Sequence, residues 1–169
     1  RVRADHMGML ATVINALAIQ DAFISVGIDT VVMSAVEMNA FCEQYTQRDA
    51  VRALERGKVV VFGCGTGNPF FSTDTGAVLR AAEIGADVIL MAKNIDGVYT
   101  ADPHKDPSAE KLSETTYDHI LSEHLGVIDM TAASLAMDNS IPLYIFGLND
   151  PENIYRVAKG ERIGTKVVK

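Results

Sequence analysis

The chain has 169 residues, 48% of them hydrophobic, with 15 Lys and Arg against 22 Asp and Glu, for a formal net charge of −7 at pH 7. A chain of this length buries a core without disulfide or metal staples, and its acidic balance, with no run of Lys or Arg, argues against a nucleic-acid or membrane surface as the main partner. Cys42 and Cys64 form neither a CxxC pair nor a disulfide framework, which fits a reducing cytosol, and no stretch approaches the roughly 18 consecutive apolar residues of a membrane span.

Arg1-Val2-Arg3-Ala4-Asp5 is no signal peptide, and it opens without Met on a helical lead-in, so further residues are expected ahead of it. From Met9 to about Val26, Leu10, Val13, Ile14, Leu17, Ala18 and Phe23 recur at helical spacing, with Gly27 as the stop. Thr30 to Met33 reads as a short buried strand, and Thr46 can cap a helix running to Gly57. Lys58 to Phe62 is a β-branched run of the kind found in parallel strands covered on both faces. A helix over Thr75–Ile84, a strand over Asp87–Met91, a helix over Thr131–Asp138, a strand over Leu143–Phe146 and a helix over Glu152–Lys159 follow. Strands alternating with helices imply right-handed crossovers and a mostly parallel sheet in an α/β fold. Tyr99 to Ser113, with Pro103 and Pro107, is the longest irregular stretch, and long loops in compact domains are more often functional than idle. No repeat, low-complexity tract or linker divides the chain.

The most informative segment follows the strand ending at Phe62: Gly63-Cys64-Gly65-Thr66-Gly67-Asn68-Pro69-Phe70-Phe71-Ser72-Thr73-Asp74. Glycines at every second residue, then hydroxyls and an acid at a helix start, place backbone N–H groups at the carboxyl end of a parallel strand, where open α/β sheets bind ligands. Thr66, Asn68, Ser72 and Thr73 can hydrogen-bond a small polar ligand, Phe70 and Phe71 can wall off a planar base, and Thr73 or Asp74 can cap a helix whose start favours phosphate. The plainer reading is a tight turn with a cap and two core phenylalanines. Neither the Walker GxxxxGK[ST] nor the Rossmann GxGxxG spacing is met.

The second segment runs from Asp87 through Lys93, Asn94, Asp96, Gly97, Tyr99 and Asp102 to Pro103. A strand leads into a turn in which Tyr99 offers a flat face and the carboxylates offer acceptors, which suits a purine and its ribose; a hairpin-like turn with a half-buried Tyr fits equally well. Asp5 and Asp129 each precede a predicted helix, where both can be simple caps. His6, His104, His119 and His124 lack metal-ligand spacing and read as surface or packing residues.

Taken together, Asp5-His6-Met7-Gly8-Met9-Leu10-Ala11-Thr12, Gly65-Thr66-Gly67-Asn68-Pro69-Phe70-Phe71-Ser72-Thr73-Asp74, Asp96-Gly97-Val98-Tyr99-Thr100-Ala101-Asp102-Pro103 and Ile163-Gly164-Thr165 resemble the bacterial uridylate (UMP) kinases of the amino-acid kinase superfamily. The DGVYTADP string is shared across that superfamily, aspartokinases and glutamate kinases included, whereas GTGNPFFSTD is close to diagnostic of the UMP kinases. The resemblance implies a three-layer αβα sandwich of the amino-acid kinase fold, incomplete at the N-terminus, forming one domain over residues 1–169, with 1–80 mostly on the UMP side and 81–169 mostly on the ATP side. It implies transfer of the γ-phosphoryl group of ATP to UMP, giving UDP and ADP for pyrimidine nucleotide synthesis in the cytoplasm.

By the same resemblance, Asp5 meets the UMP ribose, and Thr66, Gly67, Asn68, Pro69, Phe70, Phe71, Ser72 and Thr73 hold uridine and its phosphate. Lys93 or Asn94, with Tyr99 and Asp102, holds the ATP adenine and ribose. Relatives sharing the Ala92-Lys93-Asn94 form carry one more residue before the DGVY turn, which leaves the choice between Lys93 and Asn94 open. Asp74 becomes the acid at the reaction centre and Asp129 an organiser of the catalytic lysine. Mg²⁺ accompanies ATP, with no dedicated protein metal site. A homohexamer inhibited by UTP and activated by GTP is also implied. The family's glycine-rich loop, its catalytic lysine and its GGGN-type segment are expected before Arg1. The rival readings are a relative phosphorylating a carboxylate, carbamate or isopentenyl phosphate, and a non-catalytic nucleotide-binding protein of the same fold.

Overall fold

The computed structural model describes residues 1–103 and 105–169; the sequence reading of His104 falls outside the described residues. Two compact units divide the chain, Arg1–Gly76 and Ala77–Lys169.

The first unit opens with helix α1 (Val2–Ser25), then β1 (Thr30–Ser34), β2 (Glu43–Gln44), helix α2 (Gln47–Glu55) and β3 (Val59–Gly63). α1 starts seven residues before the predicted Met9, so Asp5 lies inside the helix and is not a cap ahead of it. The cause is local: Arg1 and Asp5 pair at i,i+4 with Nε–Oδ2 of 2.8 Å, supporting a first turn that apolar periodicity does not reveal. α1 ends as expected before Gly27, which takes φ 83°, a conformation open to glycine at no cost. Thr46 caps α2 by accepting from the Asp49 N–H at 3.1 Å. The three strands pair in parallel in the order β2-β1-β3. All five β1 residues are buried, so both faces of that strand are covered. The first four residues of β3 are only half-buried within this unit, unlike the doubly covered strand its composition suggests. α1 buries Val13 and Ala16 and leaves Met7 71% and Ile14 69% exposed. It is long and apolar enough to cross a membrane by length and composition, although its run is broken by polar residues.

Helix α3 (Thr73–Ile84) carries the chain into the second unit, which holds β4 (Ile89–Lys93), β5 (Val98–Tyr99), β6 (Lys111–Leu112), β7 (Glu114–Thr116), α4 (Tyr117–Ser122), α5 (Met130–Asp138), β8 (Leu143–Gly147), α6 (Glu152–Ala158) and β9 (Thr165–Val168). The sheet order is β4-β8-β9-β7, parallel except for the antiparallel β8–β9 pair, and β5 and β6 form a small antiparallel ladder. The stretch read as irregular from Tyr99 to Ser113 is thus pinned at its two ends by one ladder. Leu143, Ile145, Val167, Val78 and the small face of α5 (Ala132, Ala133, Ala136) form the core. Tyr117 is buried there with its hydroxyl donating to the Ile141 carbonyl at 2.6 Å, and burial pushes its pKa up to about 12.

Candidate active site

In the first unit a cavity of about 300 Å³ lies between the N-terminal half of α1 and the loop after β3. The loop leaves the strand at Gly63, where an added Cβ would sit 3.1 Å from the Val13 Cγ2, so α1 runs close over the strand end. Four of its residues are left-handed: Cys64 (φ 65°), Gly65 (φ 55°), Gly67 (φ 79°) and Phe70 (φ 74°). This sequence of turns brings backbone N–H groups to the strand's carboxyl end, as the glycine spacing predicted. At Gly67 the freedom is needed twice over, since a Cβ there would also meet the Ala35 carbonyl oxygen at 3.3 Å. Thr66 and Asn68 brace one another: the Thr66 hydroxyl accepts from the Asn68 N–H at 3.2 Å, and the Asn68 amide donates to the Thr66 carbonyl at 3.3 Å. The helix cap is Ser72, whose Oγ accepts from the Thr75 N–H at 3.0 Å, in place of the expected Thr73 or Asp74. Asp74 stands in the first turn of α3.

Asp5 reaches the far end of this loop. Its Oδ2 accepts from the Phe70 N–H at 2.8 Å, 65 residues away, as well as from Arg1. Those bonds, Arg1's first and then that of Phe70, hold the carboxyl below the ordinary carboxylate range, so it is an anion at neutral pH. Asp5, Thr66, Asn68, Phe71, Ser72 and Thr73 all contribute to the cavity wall, with Thr12 and Met9 from α1. Gly67, Pro69, Phe70 and Asp74 lie along the same loop and helix start but not in that wall. Phe70 is 68% exposed, with the Arg1 guanidinium 5.8 Å from its ring centre. Thr12 escaped the sequence reading; its signal was a polar side chain two turns from Asp5 on the inward face of an apolar helix.

The second unit has a larger cavity, of about 870 Å³, into which Lys93, Asn94, Tyr99 and Asp102 all converge. Lys93, at the end of β4, donates from Nζ to the Val127 carbonyl at 2.6 Å. Val127 belongs to a wall segment, with His124 and Gly126, that no motif announced. Tyr99 is held by its hydroxyl, which donates to Asp96 Oδ1 at 2.8 Å, and Lys111 Nζ donates to Oδ2 of the same carboxylate at 3.0 Å. Partial burial pushes Asp96 up, but the bonds from Lys111 and Tyr99 outweigh it and keep the carboxyl below its ordinary value; the Tyr99 phenol is pushed up by the same carboxylate. Asp102 pairs with Lys105 at 3.4 Å. Asp129 caps α5, its Oδ1 accepting from the Ala132 N–H at 3.0 Å, which is the plain structural role the sequence allowed. His6, His119 and His124 are exposed.

A model of the amino acid kinase family matches residues 1–147. The chain belongs to the amino acid kinase family. It is also similar to solved structures across its whole length. The UMP kinase from Bacillus anthracis shares 36% identity at a TM-score of 0.94, covering 99% of this chain and 70% of that one. The UMP kinase from Ureaplasma parvum shares 38% at 0.94, covering 100% and 72%. The uridylate kinase from Archaeoglobus fulgidus shares 33% at 0.75, covering 99% and 72%. The α/β architecture with parallel sheet elements is the fold of this family of kinases.

Proposed function

We propose that this family member transfers the γ-phosphoryl group of ATP to UMP. The observation that carries the reading is the first cavity: Asp5, Thr66, Asn68, Phe71, Ser72 and Thr73 meet around a space at the low end of small-ligand sites, lined by the GTGNPFFSTD loop. An anionic Asp5 suits ribose hydroxyls, the loop hydroxyls and N–H groups suit uracil and phosphate, and the Phe71 ring suits the base. ATP is assigned to the second cavity, with Tyr99 against the adenine, fixed in orientation by Asp96, and Asp102 toward the ribose. Similarity to two UMP kinases and a uridylate kinase supports the same reading.

A phosphate oxygen of UMP attacks the γ-phosphorus, the bond to the β,γ-bridging oxygen breaks, and ADP leaves. UMP's phosphate is already anionic, so no strong base is needed; the transition state is loose and charge-rich, and catalysis is positioning and charge stabilisation. Mg²⁺ bound with ATP supplies charge neutralisation. Among the described residues no cluster of three or more His, Cys, Asp or Glu could hold a metal, but Mg²⁺ carried by nucleotide phosphates keeps several waters and needs only one or two carboxylates, of which Asp102 lines the cavity assigned to ATP. The remaining cationic groups are those the resemblance places before Arg1.

A soluble, cytoplasmic homo-oligomer, hexameric by the resemblance and responsive to UTP and GTP, completes the proposal. Self-association is supported by one face of α1: Arg3, Met7, Leu10, Ile14, Ala18 and Asp21 fall within about 40° of one line at 100° per residue, and all are exposed. Antiparallel pairing of two such helices sets Arg3 of one against Asp21 of the other while covering Leu10 and Ile14, and Ile14→Asp should shift the sedimentation of the protein toward smaller species.

The test of the activity is a coupled ADP-release assay on the full-length protein, with UMP, CMP, aspartate, glutamate, carbamate and isopentenyl phosphate as acceptors. UMP-dependent turnover is expected, falling about 10²-fold in kcat for Asp74→Asn with UMP affinity held within several-fold. Turnover with another acceptor and none with UMP would replace this reading by one of its rivals, and no turnover with nucleotide binding intact would favour a binding protein.

A further inference from the structure

The loop around the first cavity contains two non-glycine residues in the left-handed region, Cys64 at φ 65° and Phe70 at φ 74°. A side chain in that region is strained relative to the right-handed one, and the conformation persists only where the surroundings hold it. The backbone N–H of each of these two residues donates to a side chain of α1. Cys64 N–H donates to Thr12 Oγ1 at 2.8 Å, across 52 residues, and Phe70 N–H donates to Asp5 Oδ2 at 2.8 Å. The Thr12 hydroxyl is itself fixed, because its proton goes to the Met9 carbonyl at 2.6 Å and leaves a lone pair for Cys64. The Cys64 thiol is directed at the same Met9 carbonyl, 3.6 Å away. Asp5 and Thr12 are seven residues apart, two turns on one helix face, and they hold the first and last left-handed residues of a single loop.

From this geometry we infer that α1 is a two-point clamp for the loop, with Thr12 as a positioning residue that fixes the Cys64 turn and so the placement of Thr66, Asn68 and the loop amides around the bound monophosphate. The inference rests on the reading of this cavity as the UMP site. Thr12 lines the cavity at the helix side, yet its hydroxyl is engaged in both directions by protein. It acts on a ligand through the loop. Cys64 is 1% exposed, so its N–H has no water to fall back on when Thr12 is removed. A left-handed Cys64 without its acceptor then relaxes toward other conformers, and the loop loses its fixed starting point.

The experiment compares Thr12→Val, which keeps the shape and removes the acceptor, with Thr12→Ser, which keeps the hydroxyl. Amide hydrogen exchange at Cys64 and Phe70 is measured alongside KM for UMP and for ATP. Thr12→Val should speed Cys64 exchange by at least about ten-fold and raise the UMP KM by about ten-fold, with ATP KM within two-fold; Thr12→Ser should bring both back to within about three-fold of wild type. Retained Cys64 protection in Thr12→Val overturns the clamp. Lost protection with an unchanged UMP KM overturns the positioning role, and equal rises for UMP and ATP reassign Thr12 to general stability. A wild type that takes no UMP removes the assigned ligand, while the exchange arm still decides the clamp. Should Thr12→Val fail to fold, the same measurements are made in a Cys64→Gly background, where glycine takes the left-handed turn without cost; there Thr12→Val should raise the UMP KM by less than about three-fold over Cys64→Gly alone, and a rise of about ten-fold or more overturns the inference.

Discussion

Replacing Lys93 by Met tests how the second cavity holds its shape, and it separates two roles for a lysine that lines the cavity proposed for ATP. Lys93 Nζ lies 2.6 Å from the carbonyl of Val127, which is 8% exposed, so the ammonium joins the end of β4 to the segment forming the opposite wall. A hydrogen bond from a charged donor contributes roughly 1.5–3 kcal/mol, and each 1.4 kcal/mol is about ten-fold in an equilibrium constant. Lys93 is only half-buried, so the lower end applies and the expected loss is about ten-fold in nucleotide affinity. Methionine keeps the unbranched stem and its packing, which confines the change to the ammonium. Steady-state kinetics with ATP and UMP varied in turn should show ATP KM raised about ten-fold, with UMP KM and saturating kcat within two- to three-fold. Asn94→Ala measured in parallel decides which of the two neighbours the nucleotide depends on. An ATP KM within two-fold of wild type in Lys93→Met would refute the tether, whereas a collapse of kcat at unchanged ATP KM would mean that the ammonium touches the transferring phosphate.

Asp5→Ala should raise UMP KM by about ten-fold and narrow the preference for UMP over dUMP while ATP KM stays put; an unchanged UMP to dUMP ratio removes Asp5 from the ribose. Gly164→Ala should be strongly destabilising, because its Cβ would lie 2.0 Å from the Ile145 carbonyl oxygen, a backbone atom of the neighbouring strand that cannot swing aside. An overpacking cost of about 2–3 kcal/mol corresponds to a Tm loss of about 4–12 °C by calorimetry, and a Tm within 2 °C of wild type would contradict that fit. Asp96 has a folded-state pKa below its ordinary 3.8, so the stability it contributes is present above that value and is lost as pH falls through the lower folded value. Asp96→Asn should therefore flatten the acid limb of a stability profile below about pH 4 and leave its shape near neutrality unchanged; superimposable acid limbs would show that the carboxylate's bonds to Lys111 and Tyr99 do not contribute.

The longer elements were legible because their cause is local. The β-branched run Val59 to Val61 forms β3, Thr46 caps α2, and Gly27 closes α1, each from side-chain chemistry within a few residues. The glycine loop and the DGVYTADP turn were legible as strings for the same reason: left-handed glycines and short turns require particular residues in place. The strands of two to four residues, β2, β5, β6, β7 and β9, were not, since none is long enough to show a period and each exists through its ladder partner. The first two turns of α1 were missed, and the support of the first is an ion pair and not an apolar stripe.

Within the candidate site the division is sharper. Sequence alone named Asp5, Thr66, Asn68, Phe71, Ser72 and Thr73 of the first cavity and Lys93, Asn94, Tyr99 and Asp102 of the second, but it missed Thr12 and the wall segment around Val127, and it placed Asp5 ahead of a helix and the cap of α3 at Thr73 or Asp74. Only the tertiary structure put Asp5 on the Phe70 amide and Thr12 on the Cys64 amide, and gave the cap to Ser72. The same holds for Lys93, whose partner is a backbone carbonyl 34 residues away. Side-chain types and spacings record what a segment can do by itself; which backbone group a side chain satisfies depends on chain segments brought together by burial, and a backbone amide or carbonyl carries no mark of its partner in the sequence.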